Sequence, residues 1–299
     1  MVFWGANFIV VKAATLEIPP VAFALGRFSL AAAVLMLALR IREGSIALPR
    51  ADILPILGLG ALGFGVYQVA WATALQWIPA GDSALLIAAT PVLTALLAVV
   101  AGSDVLTRRK LGGIVVSFAG VAIVVAFGPG LGLGSSGSGG IGLQLIGDGL
   151  TLFAATCWSI YTAFGSPILR RHSPLRTTAW AMVGGCMVLA GPGLYQIAGS
   201  TPAAVEPIAW AGLLYSALIP AGLSNVLIFN AIRLLGPTRI TNFQFLVPFF
   251  AVVFGAVLLA EPIRAEQIAG GLVIVLGVVI ARANASFDVA GWLRDRLPF

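Results

Sequence analysis

Apolar residues run through this chain in long unbroken stretches, and the polar positions gather in the gaps between them. The stretches occupy 1–15, 19–40, 53–76, 79–102, 108–127, 145–169, 174–198, 207–233, 237–260 and 264–284. A helix needs roughly 20 apolar residues to cross a bilayer, and most of the stretches reach that length. Period-two alternation is absent, which argues against a barrel. Backbone groups in lipid must bond within their own segment, so each stretch is expected to be an α-helix. The first, 1–15, is short for a span and leaves open whether the native first helix begins upstream of Met1. The expected fold is an all-α integral membrane protein with ten transmembrane helices. Connections are short apart from the Gly/Ser-rich 128–143, which reads as a flexible linker between 1–127 and 144–284, with 285–299 as a tail.

Composition sharpens this. Of 299 residues, 60% are hydrophobic and 9% charged. Soluble domains are about 25% charged, and one this apolar would expose large associating patches. A soluble enzyme, a nucleic-acid-binding module and a disordered chain are excluded. Cys157 and Cys186 both lie inside apolar stretches and read as small core residues. With His172 the lone histidine, neither a metal site nor a cofactor is expected.

The charges orient the spans. Of the 17 Lys and Arg, 14 fall on the side of the N-terminus, Lys12 and Arg264 fall on the other, and Arg27 lies within a span. The positive-inside bias then puts both termini in the cytoplasm.

The chain also repeats itself. A shift of 157 residues lays Tyr67–Val125 on Ser224–Arg282 without gaps, with nine of 59 positions identical. Pro91 falls on Pro248, Asp104 on Glu261, Gly113 on Gly270, and Gly120-Val121 on Gly277-Val278. A shift of 154 brings Trp4 to Trp158 and Pro20 to Pro174. The unit is five helices, an odd number, so the second copy enters from the opposite face. Such inverted repeats mark many secondary transporters.

These residues carry a family resemblance. Trp4-Gly5 through Lys12, Arg27-Phe28, Leu258-Leu259-Ala260-Glu261, Gln267, Gly270 and Gly277-Val278 resemble the EamA-type ten-helix exporters of the drug/metabolite transporter superfamily. Asp104 stands where that pattern usually has Glu. Within the family the chain is most similar to bacterial amino-acid exporters of the YddG type. The resemblance implies a multi-pass inner-membrane carrier that exports amino acids or related metabolites by alternating access.

In inverted-repeat carriers the substrate sits near mid-membrane, where the repeats meet. Pro91 and Pro248 fall about halfway along the fourth and ninth stretches, and Pro220 corresponds to Gly63. These three prolines are hinge candidates, with plain helix packing as the alternative. Trp4 with Asn7, Tyr67 with Trp71, Trp158 with Tyr161, and Thr238 with Asn242 stand three or four residues apart, so each pair shares a helix face. Those faces describe a mostly apolar cavity with a few hydrogen-bonding groups, suited to a small amphipathic solute. Candidates for its wall are Trp4, Asn7, Arg27, Tyr67, Trp71, Ser83, Trp158, Tyr161, Asn225, Asn242 and Gln244. Belts, core packing and interhelical bridges are the competing uses for the tryptophans and amides. Arg27 sits about 12 Å deep in its span. It could bind a substrate carboxylate, but as a family-pattern residue it reads first as structural or gating. Lys12 near its helix end reads first as snorkelling, with a site role as the alternative if the first helix is longer.

No G-x-x-x-x-G-K-[ST] occurs, which argues against an ATPase. Asp82, Asp148, Glu17, Glu206, Glu261 and Glu266 all lie at or near span ends. Facilitated transport is therefore expected, with Asp82 the one candidate for ion coupling. A proton-coupled antiporter and an exporter of lipophilic cations or lipids are the alternatives. Gly134-Ser135-Ser136-Gly137 matches a serine-hydrolase pattern, but His172 lies at a cytoplasmic helix end, out of reach as a base. The expected partners are a small-molecule substrate and membrane lipid, with no nucleic acid and a monomer as the unit.

Overall fold

The computed structural model describes residues 1–100, 107–127, 140–169, 171–200, 205–235 and 246–282. All regular structure among them is helical: α1 (Val2–Ala14), α2 (Pro20–Glu43), α3 (Arg50–Gly60), α4 (Tyr67–Ala74), α5 (Ala80–Ile87), α6 (Thr90–Val100), α7 (Arg108–Ala126), α8 (Gly140–Leu169), α9 (Pro174–Ala198), α10 (Pro207–Ser216), α11 (Asn225–Leu235), α12 (Leu246–Leu258) and α13 (Ala265–Arg282). Among the described residues, six rods are long and apolar enough to cross a bilayer, two of them formed by α3 with α4 and by α10 with α11. Four shorter apolar helical stretches accompany them: Val2–Ala14, Ala80–Thr94 across α5 and the start of α6, Leu246–Leu258 and Ala265–Ala281. Large apolar side chains, Leu54, Val257 and Leu272 among them, stand exposed, as on a lipid-facing surface.

Local chemistry sets the helix starts. Pro20, Pro174 and Pro207 stand in first turns, where a missing N–H is harmless. Thr107 Oγ1 and Ser173 Oγ accept from the backbone N–H of Lys110 and Arg176. Gly44, at φ 72°, ends α2 in the left-handed conformation.

Three stretches expected to be continuous helices are interrupted. Ala61–Val66 between α3 and α4, and Ala217–Ser224 between α10 and α11, are π-helical. Pro220 brings no donor and crowds the carbonyl four residues back, which favours the wider turn. The fourth stretch breaks between Ile87 and Thr90, where Thr90 Oγ1 donates to the Ile87 carbonyl at 2.6 Å. Pro91 thus lies in the first turn of α6 rather than in mid-helix, and Pro248 lies within α12.

Two helix pairs form the frame. α7 crosses α13, and α2 packs along α9. A Cβ on Gly120 would stand 2.6 Å from the Ile274 backbone nitrogen, and one on Gly113 would stand 2.5 Å from the Gly277 carbonyl. Only glycine allows backbones this close. The 157-residue shift interchanges these contacts, since Gly113 meets Gly277 and Gly120 meets Gly270. The same shift carries Ala61–Val66 into the second π-helical segment. Against this frame, α1 packs on α12 and α10, while α4, α5 and α6 pack on α8.

Candidate substrate cavity

The π-helical segments and the break before α6 converge on a cavity with an empty volume of ≈ 880 Å³, its open mouth included. Its wall draws on α1, α2, α4, α5, α6, α8, α11 and α12 and on both π segments, while α7, α9 and α13 stay behind.

Aromatic rings make most of the wall. Tyr67 and Trp71, one helical turn apart, stack at 6.1 Å. Trp158 lies 5.7 Å from Tyr67 and meets Trp4 edge-on at 6.3 Å. Phe8 closes on Trp71 at 5.0 Å.

Of the residues expected on this wall, Trp4, Asn7, Arg27, Tyr67, Trp71, Trp158 and Asn225 border the cavity, as do Pro91, Pro220 and Pro248. Tyr161 does not. It stands behind the wall against Phe64 and Trp158, because three residues fall about 60° short of a full helical turn and carry it off the cavity face. Ser83 is fully buried near the start of α5 and does not border the cavity either. Asn242 and Gln244, together with Thr238 and Asp104, lie outside the described residues. Phe8, Phe28, Phe64, Gln68 and Thr90 border the cavity without having been expected there. The phenylalanines resemble any lipid-facing or core residue in sequence, but Gln68, an amide inside an apolar stretch, was a readable signal.

Arg27 lies in the wall and is 4% exposed. Its Nη1 donates to Ser216 Oγ at 3.0 Å, and that hydroxyl donates to Asn7 Oδ1 at 2.6 Å. Its Cζ lies 4.4 Å from the Phe28 ring centroid and 5.9 Å from that of Trp71. Among the described residues no ion pair includes Arg27. A buried cation with hydroxyl and aromatic neighbours but no anion is costly to keep, and a bound carboxylate would relieve it.

Side chains satisfy the broken backbone. Asn225 Nδ2 donates to the carbonyls of Pro220 (3.1 Å) and Ala221 (2.9 Å), and Trp4 Nε1 donates to Pro220 (3.2 Å). At the α5–α6 break, Ser159 Oγ on α8 reaches the Thr90 carbonyl at 3.1 Å. In contrast, Arg27 Nε, Gln68 Oε1 and Trp71 Nε1 have no partner among the described residues. Each buried atom left so costs about 1–3 kcal/mol.

A charged cluster ties together α1, α5 and the connection from α12 to α13. Lys12 Nζ pairs with Glu261 at 2.9 Å and donates to the Ile78 carbonyl at 2.8 Å, so it is held inward rather than snorkelling free. Glu261 also caps α5 by accepting from the Ala80 N–H at 3.0 Å. Asp82 accepts from Arg264 at 2.7 Å and from Gln267 at 2.8 Å. At the opposite ends of the rods, Asp52 on α3 holds Arg171 and His172 before α9 at 2.8 and 2.7 Å.

Comparison with known proteins agrees with this architecture. The model of the EamA-like transporter family matches residues 1–126 and 145–283. An uncharacterized transporter of Bacillus subtilis, YyaM, is 27% identical, the match covering 94% of this chain and 90% of that one. A probable terminal-alkyne amino-acid exporter of Streptantibioticus cattleyicolor is 29% identical over 83% of this chain and 80% of its own. A probable amino-acid metabolite efflux pump of Salmonella typhimurium is 25% identical over 94% and 91%. A solved crystal structure at 17% identity superposes with a TM-score of 0.63 over 95% of this chain and 97% of that one, a likeness of fold alone. With both stretches of the chain matched and the rods packed around a central cavity, the chain belongs to the EamA-like transporter family.

Proposed function

We propose that this transporter exports amino acids, aromatic and apolar ones included, or related small metabolites across the bacterial inner membrane by alternating access. The cavity carries the reading: it joins aromatic walls to one buried guanidinium that has no carboxylate partner among the described residues. That chemistry suits a solute with a carboxylate and an apolar body. The relatives named as a probable terminal-alkyne amino-acid exporter and a probable amino-acid metabolite efflux pump support the same class. A lipophilic cation would meet like charge at Arg27. Asp82 has both oxygens held by Arg264 and Gln267, which favours facilitated over proton-coupled transport.

The proposal includes ten crossings built as two inverted repeats, 1–127 and 144–284, joined by the linker 128–143. Both termini and the tail 285–299 are cytoplasmic, and a monomer is the working unit. The cation bias, the paired π-helical segments and the interchanging glycine contacts support it. In that orientation the Lys12–Glu261 and Asp82–Arg264 pairs close the outer side and must separate for release.

Counterflow in proteoliposomes tests the reading. Vesicles preloaded with one unlabelled amino acid should take up a labelled one saturably, and an imposed pH gradient should drive no accumulation. Folded protein that exchanges no amino acid would overturn the assignment.

A further inference from the structure

Among the described residues that line the cavity, buried polar atoms without a partner occur on three only: Arg27 Nε, Trp71 Nε1 and Gln68 Oε1. Their side chains form one patch. The Arg27 guanidinium lies 5.9 Å from the Trp71 ring, and Gln68 and Trp71 stand three residues apart on one face of α4. All three residues are at most 4% exposed. The patch thus offers two unused donors and one unused acceptor. Several neighbouring groups already bond to the protein: Asn7 Oδ1 accepts from Ser216, Asn225 and Trp4 serve the Pro220 carbonyl, and Thr90 serves Ile87.

We propose that this patch is the main-chain subsite for an α-amino-acid zwitterion, an inference that rests on the transport reading above. Arg27 and the Trp71 indole N–H donate to the carboxylate, and Gln68 Oε1 accepts from the ammonium. The substrate side chain then lies along the rings of Trp4, Tyr67 and Trp158. An amine without a carboxylate leaves both donors unpaired and sets a second cation beside Arg27. An acid without an ammonium leaves Gln68 unpaired. Discrimination therefore falls on the main chain of the substrate, with tolerance for its side chain.

The test uses the full chain in proteoliposomes, with phenylalanine, 3-phenylpropanoate and phenethylamine competing against labelled phenylalanine in counterflow. Phenylalanine should compete best and phenethylamine worst, with each lost partner costing on the order of 10- to 100-fold. Gln68→Met should weaken phenylalanine by about tenfold or more and leave 3-phenylpropanoate unchanged. Trp71→Phe, which keeps the ring and deletes the donor, should weaken both carboxylates and spare the amine. A merely structural loss would move all three compounds together. If Gln68→Met folds poorly, Gln68→Glu keeps an acceptor and should retain phenylalanine while rejecting 3-phenylpropanoate further. Wild-type protein that exchanges phenylalanine but is inhibited equally well by phenethylamine overturns the subsite and leaves the carrier standing. So does a Gln68→Met effect equal for phenylalanine and 3-phenylpropanoate. Wild-type protein that exchanges no amino acid overturns both.

Discussion

Asn225 shows how one side chain makes a broken helix tolerable. Its amide holds two carbonyls, Pro220 and Ala221, in the π-helical segment. Replacing it with leucine of similar size leaves that job undone. Asn225→Leu should lower stability by about 1–3 kcal/mol, seen as a reduced unfolding temperature in detergent. An unchanged temperature would mean that the segment holds itself. Arg27 was readable as an exceptional residue, but its partners were not. Ser216 and Asn7 are 189 and 209 positions from the residues they bond, Arg27 and Ser216 respectively, and no local pattern links groups so far apart.

Ala260 carries a cost at the scale of the element. It sits at φ 52°, the one described non-glycine residue in that region, just after α12 ends. The turn closes by bonds from the Leu259 and Glu261 N–H groups to the Gly255 carbonyl, which brings the Glu261 carboxylate back against Gly255. A left-handed alanine costs about 1–2 kcal/mol, held here by Glu261's bonds to Lys12 and α5. Ala260→Gly should therefore stabilise the folded protein by about 1 kcal/mol, measurable as a raised unfolding temperature in detergent. A lowered temperature would show that the alanine methyl matters more than the strain. The helices themselves were legible from apolar run length, but their interruptions were less so. Pro220 was visible as a proline, whereas nothing in the sequence of the first π-helical segment announced that its glycines meet partners on other helices. A Cβ on Gly63, for instance, would stand 2.5 Å from the Tyr161 ring.

For the whole molecule, the charged cluster joins residues far apart in sequence, Lys12 and Asp82 to Glu261 and Arg264. If it closes the outer side, bridging it should arrest the cycle. Lys12→Cys with Glu261→Cys, in a background with Cys157 and Cys186 replaced by alanine, should exchange amino acids before treatment. A short bis-methanethiosulfonate reagent should stop exchange, and reductant should restore it. Exchange that continues through the bridge would show that the cluster does not move during transport.

Run length, composition and the scatter of cations determined from sequence alone that this is an all-helical membrane protein. Those signals are local: lipid demands apolar length and internally bonded backbone wherever a segment crosses it. Spacing placed Trp4 with Asn7 and Tyr67 with Trp71 on shared faces, because helical period is local too. Which way a face turns was decided only by packing. Trp158 reaches the cavity while Tyr161, three residues on, is buried behind it. Among the described residues, the tertiary structure alone left Arg27 without an anion, gave Asp82 and Glu261 their partners, and gathered three unpaired polar atoms into one patch. Each of these depends on distances between rods remote in sequence, which helical periodicity does not encode.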